Sequence, residues 1–508
     1  MSTTRPIPIK SLPGIRRDGT QFDGDEYTDA QWCRFYRGRP KKMNGYTAVT
    51  SSLPEKVYGM NSYLSDAINF IAMGSASHLE QARVNLFGNL IGQDDRIPGG
   101  FANDVNNMWQ FDIFNQGTGT NPVLVAHAAP NLADIASTAE RPVYFGSATG
   151  IAALAASAMD NNSGGIVSLY PYLFGYGNSG RLDVSKPGDI TVANDSAFVT
   201  GQKIVRGLPL RNTNGPGGLF WSLDSVVQAL FNPAILTGIP FSFTTISGKS
   251  SILSSQGVLE YDGVYFWAGI DRFLMFNGVV REVPNQYNLN FFYDNINFTW
   301  RQKAFAFAVP RWGEIWFCAP LGNATECNHA VIYNVREGVW YDTPLPSTGR
   351  TSGYSASAYQ RPFMTDLLPD ATTTEFTLWQ HETGLDQING SNLQPILSSF
   401  TTSEKEVLDQ GLDKGVRVDI VEPDLVQTGN LALTVVGRAN ARANDQDSQT
   451  VTFPDLSGAP LDADEQVVKF KKGYRLLRFI FQSNAPGGDY YMGKTLAHIE
   501  PVEGRYTS

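Results

Sequence analysis

Only three cysteines, Cys33, Cys318 and Cys327, occur in 508 residues. An odd count with no framework spacing excludes a disulfide scaffold and points to synthesis in a reducing cytoplasm. Charge is also scarce, at 17% of residues, below the usual quarter. The balance is −10, which excludes a chain held to nucleic acid mainly by phosphate contacts. Long apolar runs are missing. The longest, Gly150 to Met159, falls far short of the ~20 residues that a membrane helix needs, so no membrane insertion is expected. The opening stretch MSTTRPIPIKSLPGIRR has no apolar core, so no secretory leader is expected either. There is no Gly-x-Ser-x-Gly elbow, no P-loop and no His-Glu-x-x-His. Helical heptads and Glu/Lys/Ala tracts are absent.

What is present is turn chemistry. Gly numbers 49, and hydrophobic residues make up 42%, enough for a globular chain with two or more cores. Between Gly257 and Pro346, short apolar and aromatic runs alternate with Asp262-Gly263, Asn277-Gly278 and Glu337-Gly338. Val264 to Ala268, Phe273 to Phe276, Ile315 to Ala319 and Ala330 to Tyr333 each suit a short buried strand. Asp-Gly and Asn-Gly supply the positive φ values of two-residue hairpins. The two halves of this stretch resemble each other, as one antiparallel unit used twice, and repeated sheet units predict a propeller. Similar units fall near 57–98, 107–146, 165–195, 200–247, 250–285, 302–345 and 352–402.

The expected fold is therefore all-β. Residues 1–50 form an extended N-terminal arm, 51–402 a β-propeller of six or seven blades, and 403–508 a small C-terminal β-sandwich. Six strands are expected in the last, at Val416–Val421, Leu431–Val436, Thr450–Phe453, Val467–Phe470, Tyr474–Phe481 and Thr495–Ile499. Two segments have a helical alternative, Ala152–Met159 and Ser225–Phe231, and the second reads better as a strand. Trp267, Trp316 and Trp340 lie inside apolar runs and are expected between sheets.

The sharpest charge feature is the basic, aromatic run from Gln31 to Lys42. Its Arg34, Tyr36, Arg37, Arg39, Lys41 and Lys42 suit either phosphate contact with base stacking or an edge strand guarded by lysines. Contact with another protein subunit is the preferred reading of these six. Cys327-Asn-His329 with Cys318 nearby is too small a set for a structural zinc, and no metal or cofactor is expected. The carboxylates Asp262, Asp271, Glu282 and Glu314 stand beside turns, where they are ordinary, so no enzyme is expected. His381-Glu382-Thr383-Gly384 reads as a strand end and turn.

The residues also carry a resemblance. Tyr261-Asp-Gly-Val-Tyr-Phe-Trp-Ala-Gly-Ile-Asp-Arg-Phe273, Phe276-Asn-Gly278 and Val283-Pro-Asn285 resemble the tail-nozzle (tail tubular, hub-like) proteins of short-tailed bacteriophages. Gly313-Glu-Ile-Trp316, Glu326-Cys-Asn-His329, Tyr333-Asn334, Trp340-Tyr-Asp342, Leu378-Trp-Gln-His-Glu-Thr-Gly384 and Pro423-Asp424 are similar to that family too. So are Cys33-Arg34 and Gly38-Arg-Pro-Lys41; residues 57–250 carry little of the pattern. The resemblance implies a structural virion protein, a hexameric ring below the portal and adaptor in the tail. Propellers would surround a channel for genome ejection, and flanking domains would contact adaptor and tail fibres or spikes. The DNA passes without specific binding. On this reading the arm and residues 403–508 lie together as the ring-building platform, and deleting residues 1–50 leaves a folded propeller but weakens assembly. The channel wall is expected to be neutral to acidic. Arg16, Arg17, Lys469, Lys471, Lys472 and the basic run would meet acidic neighbours in the tail. The competing readings are a propeller receptor-binding or scaffold protein and, behind it, a propeller hydrolase.

Overall fold

The computed structural model describes the chain except residues 1–4, 21, 23, 66, 102, 106, 117–121, 131–135, 155–158, 160–161, 212, 214, 372, 407–414, 456–472 and 503–508. The described residues are mostly β. Six consecutive four-stranded antiparallel sheets are followed by a six-stranded one. The first sheet runs from Met60–Ser65 to Leu90–Asp95, the second from Asn107–Phe114 to Gly150–Ala153, and the third from Gly165–Leu169 to Asp189–Phe198. The fourth runs from Ile204–Pro209 to Phe241–Ser247, the fifth from Val258–Tyr261 to Val280–Glu282, and the sixth from Phe305–Val309 to Val339–Pro344. Each is a meander in which strands pair in chain order.

Turn chemistry accounts for the meanders. Tyr261 pairs with Val264 across a two-residue turn in which Asp262 and Gly263 have φ of 50° and 79°, the mirror-image turn that matches strand twist. Asn277-Gly278 behaves differently. Phe276 pairs with Val280, so the loop has a third residue, and Gly278 has a φ of 104°. At Glu337-Gly338 the loop is longer again, and Asn334 Oδ1 accepts the amides of Arg336 and Glu337. Ser225–Phe231 contains the strand Val226–Phe231, as preferred. In Ala152–Met159, the strand Gly150–Ala153 covers the start, and 155–158 lie outside the described residues.

The seventh sheet is not local. Its first three strands are Arg350–Tyr354, Phe363–Asp366 and Phe376–His381, and the next is Tyr46–Leu53 from the beginning of the chain. Gln387–Asn389 then pairs parallel to Tyr46–Leu53.

Apolar side chains fill every gap between consecutive sheets. Trp109 and Phe111 of the second sheet meet Tyr63 and Phe70 of the first, and Phe220 of the fourth meets Phe174 of the third. Trp221 joins Trp267 across the fourth and fifth, with ring centroids 5.7 Å apart. Phe273 and Phe317 join the fifth and sixth. Phe363 and Leu378 of the seventh pack with Ile71 and Met73 of the first. Trp267, Trp316 and Trp340 are all buried. Close approach sets one glycine: a Cβ on Gly74 would stand 2.1 Å from the Trp109 ring.

Two of the remaining sheets share one apolar core, and both mix the ends of the chain. In one, Asp489–Val502 pairs with Gly415–Thr428 on one side and with Arg5–Ile9 and Arg39–Lys42 on the other; Cys33–Tyr36 follows Arg39–Lys42. In the other, Asp29–Gln31, Ser398–Thr401, Leu476–Ser483, Leu431–Arg438 and Asp447–Phe453 are neighbours. Five of the six expected C-terminal strands coincide with or overlap observed ones; Val467–Phe470 lies outside the described residues. Arm and C-terminal region thus share one core, which continues through Trp32 and Phe35 into the sixth and seventh sheets. The arm supplies strands to both of these sheets and to the seventh, so the prediction made from the structure is that deleting residues 1–50 disturbs more than the arm. No helix among the described residues is long and apolar enough to cross a membrane.

Burial also sets a pH dependence. His127 is fully buried in the second sheet, with Nε2 3.2 Å from the Asn162 carbonyl. Desolvation, with Lys203 and Arg141 nearby, lowers its pKa from 6.5 to about 4. The unfolded chain therefore binds a proton that the folded chain refuses, and stability is lost as pH falls from about 6.5 to about 4. Between pH 7 and 5 this one group removes about 2 kcal/mol. His381, also pushed down by burial, acts in the same direction. Urea midpoints should fall over that interval, and His127→Gln, which keeps a donor for the carbonyl, should flatten the fall. An unchanged slope in the variant would remove His127 from the account.

Candidate functional site

The basic, aromatic run folds as a hairpin. Tyr36 pairs with Arg39 across Arg37 and Gly38, both at positive φ. Its two faces are both covered. Cys33 and Phe35 enter the core shared with the C-terminal strands, and Arg34 reaches carboxylates of the sixth and seventh sheets. There Arg34 Nη1 and Nη2 donate to Glu382 at 2.8 and 2.5 Å, and Arg34 Nε stands 2.8 Å from Glu314 Oε1. Trp316 Nε1 and Tyr341 Oη donate to Glu314, Trp312 Nε1 donates to Glu382, and the guanidinium lies 4.7 Å from the centre of the Trp312 ring. Arg34 and Glu314 are fully buried. Lys42, 1% exposed, donates to the Gly488 carbonyl at 2.6 Å, and burial lowers its pKa.

Arg34 and Lys42 are therefore inside the chain and out of reach of a partner, contrary to expectation. The edge-strand reading assumed one open face, and this hairpin has none along Cys33–Phe35. Tyr36, Arg37, Arg39 and Lys41 remain accessible. Tyr36 packs edge-on against Trp312, and Arg37 lies over Tyr36. Lys41 pairs with Asp489 at 3.3 Å. Beside them opens a recess of about 250 Å³ lined by Tyr36, Lys41, Val426, Gln427, Asp489 and Tyr491, with Val426 73% exposed. Of the other arm cations, Arg16 pairs with Glu26 and Arg17 with Asp29 and Asp342. Lys469, Lys471 and Lys472 lie outside the described residues.

A second concavity, of about 710 Å³, is bordered by the first strands of all seven sheets, from Met60 round to Tyr354. Charges of both signs line it: Asp112, Glu260 and Asp262 against Arg206 and Arg211. Arg211 Nε meets Glu260 at 2.9 Å. Burial raises the pKa of Asp112, against the pull of the Ser168 and Ile113 amides and of Arg206. The volume is that of a small-molecule pocket. A duplex whose major groove alone is ~12 Å wide does not pass through it.

The remaining motifs separate. Cys327 and Cys318 are buried, and desolvation pushes both thiols well up. His329 Nε2 instead meets Asp342 at 2.9 Å. Of the carboxylates, Asp271 and Glu282 share Arg272 at the surface, Asp262 borders the concavity, and Glu314 sits in the Arg34 cluster. His381 stacks on Tyr46 with centroids 4.8 Å apart. Glu382, expected only as a strand end, has a φ of 62° and closes the Arg34 cluster. No signal in the sequence pairs Glu382 with Arg34, 348 residues away. No family model matches this chain, and no curated protein matches it.

Proposed function

We propose that the seven sheets form a seven-bladed propeller, and that the chain is a structural subunit of a short-tailed phage tail nozzle. Six copies close a ring around the path of the ejected genome, in the tail of the virion. The observation that carries this reading is the circular order. Consecutive sheets share apolar cores, the seventh returns to the first, and Tyr46–Leu53 supplies the strand that ties the two ends together. Beneath this lies a sandwich built from both termini, a platform on which copies, adaptor and fibres or spikes can dock. Tyr36, Arg37, Arg39 and Lys41 are its accessible polar and aromatic contacts.

The DNA path lies between copies, because the concavity within one chain is too small. Six times −10 gives −60 for the ring. A lumen that does not neutralise phosphates lets a polyanion pass without drag.

Mass photometry and negative-stain images of the purified chain test the reading. A closed ring near six times 55.7 kDa, binding duplex weakly even at low salt, is expected. A stable monomer or trimer would overturn the nozzle and favour the receptor-binding alternative. One feature suits that alternative: the turn Asn85–Asn89, pinned by Asn85 Oδ1, presents Phe87 at 81% exposure.

A further inference from the structure

We propose that the first sheet holds a divalent transition-metal ion, of the zinc type, on His78, Glu80 and Asp95. This goes beyond the nozzle reading and does not depend on it. His78 precedes the strand Leu79–Val84, Glu80 lies on it, and Asp95 ends the neighbouring strand Leu90–Asp95. One donor atom from each lies within 4.8 Å of the others. His78 Nδ1 already stands 2.6 Å from Asp95 Oδ2. The other oxygen of Asp95 is fixed by the amides of Leu79 and Ile97.

A second observation is independent of that proximity. Glu80 is only 7% exposed, yet among the described residues no lysine or arginine pairs with it. It accepts one hydrogen bond, from Gln93 Nε2 at 2.9 Å. Buried glutamates are rare unless paired. Its direct cross-strand partner is Asp95, and like charges facing each other across a ladder destabilise it. The arginines of this sheet do not relieve the pair. Arg83 and Arg96 both turn to Asp94, at 3.5 and 3.3 Å. A dication is the counter-charge that this arrangement lacks.

The donor set selects the ion. One imidazole nitrogen and two carboxylates suit a zinc-type cation with water completing the shell. Calcium wants six to eight oxygens. His78 and Asp95 are about one-third exposed, which leaves an open side for that water. On binding, the ion replaces the proton between His78 and Asp95. The position gives it a mechanical role. Gln93, which holds Glu80, also accepts from Thr50 and Ser52 of the strand Tyr46–Leu53. The ion would therefore brace the seam at which the first sheet meets the closing strand.

The test uses the full-length chain, stripped with chelator and titrated with ZnCl2 by calorimetry, with melting temperature followed in parallel and CaCl2 as control. One zinc per chain and a rise in Tm are expected, with no response to calcium. Glu80→Gln keeps the acceptor for Gln93 and removes the buried charge, so it should fold at least as well without metal. It should bind zinc at least ~10-fold more weakly, no less than losing an outer-shell partner costs, and so should His78→Ala. Absence of zinc binding in the wild type would overturn the proposal. So would wild-type affinity retained in both variants, which would place the ion on other residues.

Discussion

A chain lacking residues 1–50 should fail to fold. The cut passes through the strand Tyr46–Leu53 and removes Arg5–Ile9, Asp29–Gln31, Cys33–Tyr36 and Arg39–Lys42 from the sheets they share with the C-terminal strands. Tyr27, Trp32, Phe35, Met43 and Tyr46, each at most 6% exposed, leave the shared core. At roughly 1.5–3 kcal/mol per large buried side chain, these five alone amount to on the order of 10 kcal/mol. That is comparable with the entire stability of a typical domain, about 5–15 kcal/mol. Exposure of the seventh-sheet edge adds an aggregation route. The expected result is insoluble protein, or soluble protein without a cooperative thermal transition. Co-expressing residues 1–53 with 54–508 should recover soluble complex, because the missing strands are then supplied in trans. A truncated chain that melts cooperatively near the wild-type temperature would show that the strand pairings of the N-terminal segment are wrong.

The contrast between local and distant pairing explains what the sequence made legible. The fifth and sixth sheets follow from features a few residues apart: Asp262-Gly263 at a hairpin tip, aromatic runs of strand length, and Asn277 and Asn334 at the last turn of each sheet. First strands that start at 60, 107, 165, 204, 258, 305 and 350 extend the pattern to the weaker units, because a meander pairs each strand with its sequence neighbour. The closing strand has no such local signature. Tyr46–Leu53 reads as any half-buried strand, and its partner Phe376–His381 lies more than 300 residues away. The arm was legible in part for a related reason. Its place beside residues 403–508 was expected, but its strand pairing with Asp489–Val502 and Ser398–Thr401 is long-range and has no local signature. The metal-competent trio was equally hidden: positions 78, 80 and 95 match no spacing motif and meet only through the register that places Glu80 opposite Asp95. Charge signs along Gln31–Lys42 were plain, but burial is a tertiary property, and it divides Arg34 and Lys42 from Arg37, Arg39 and Lys41.

Arg34→Ala should be the most damaging single substitution in the chain. Arg34 reaches Glu314, 280 residues on, and Glu382, 348 residues on, so one guanidinium joins the arm to the sixth and seventh sheets. Burial already raises the Glu314 pKa, Arg34 opposes that rise, and Glu382 adds to it. Removing the arginine leaves two carboxylates, 0% and 8% exposed, facing each other without a counter-charge. Breaking a buried pair by deleting one partner costs about 3–5 kcal/mol. The pH dependence identifies the cause. In the variant the carboxyls should titrate at higher pH in the folded chain than in the unfolded one, so the folded state binds the extra proton. The deficit should then be largest at pH 7 and shrink toward pH 5, opposite in sign to the histidine effect on the wild type. Arg34→Met combined with Glu314→Gln and Glu382→Gln removes all three charges while keeping volume, and should recover much of the loss, since a neutral set carries no unpaired buried charge. Chemical denaturation of the three proteins at pH 5 and 7 measures each step. If Arg34→Ala costs under ~1 kcal/mol at pH 7, or if its deficit grows on acidification, the buried cluster is not what joins the arm to the two sheets.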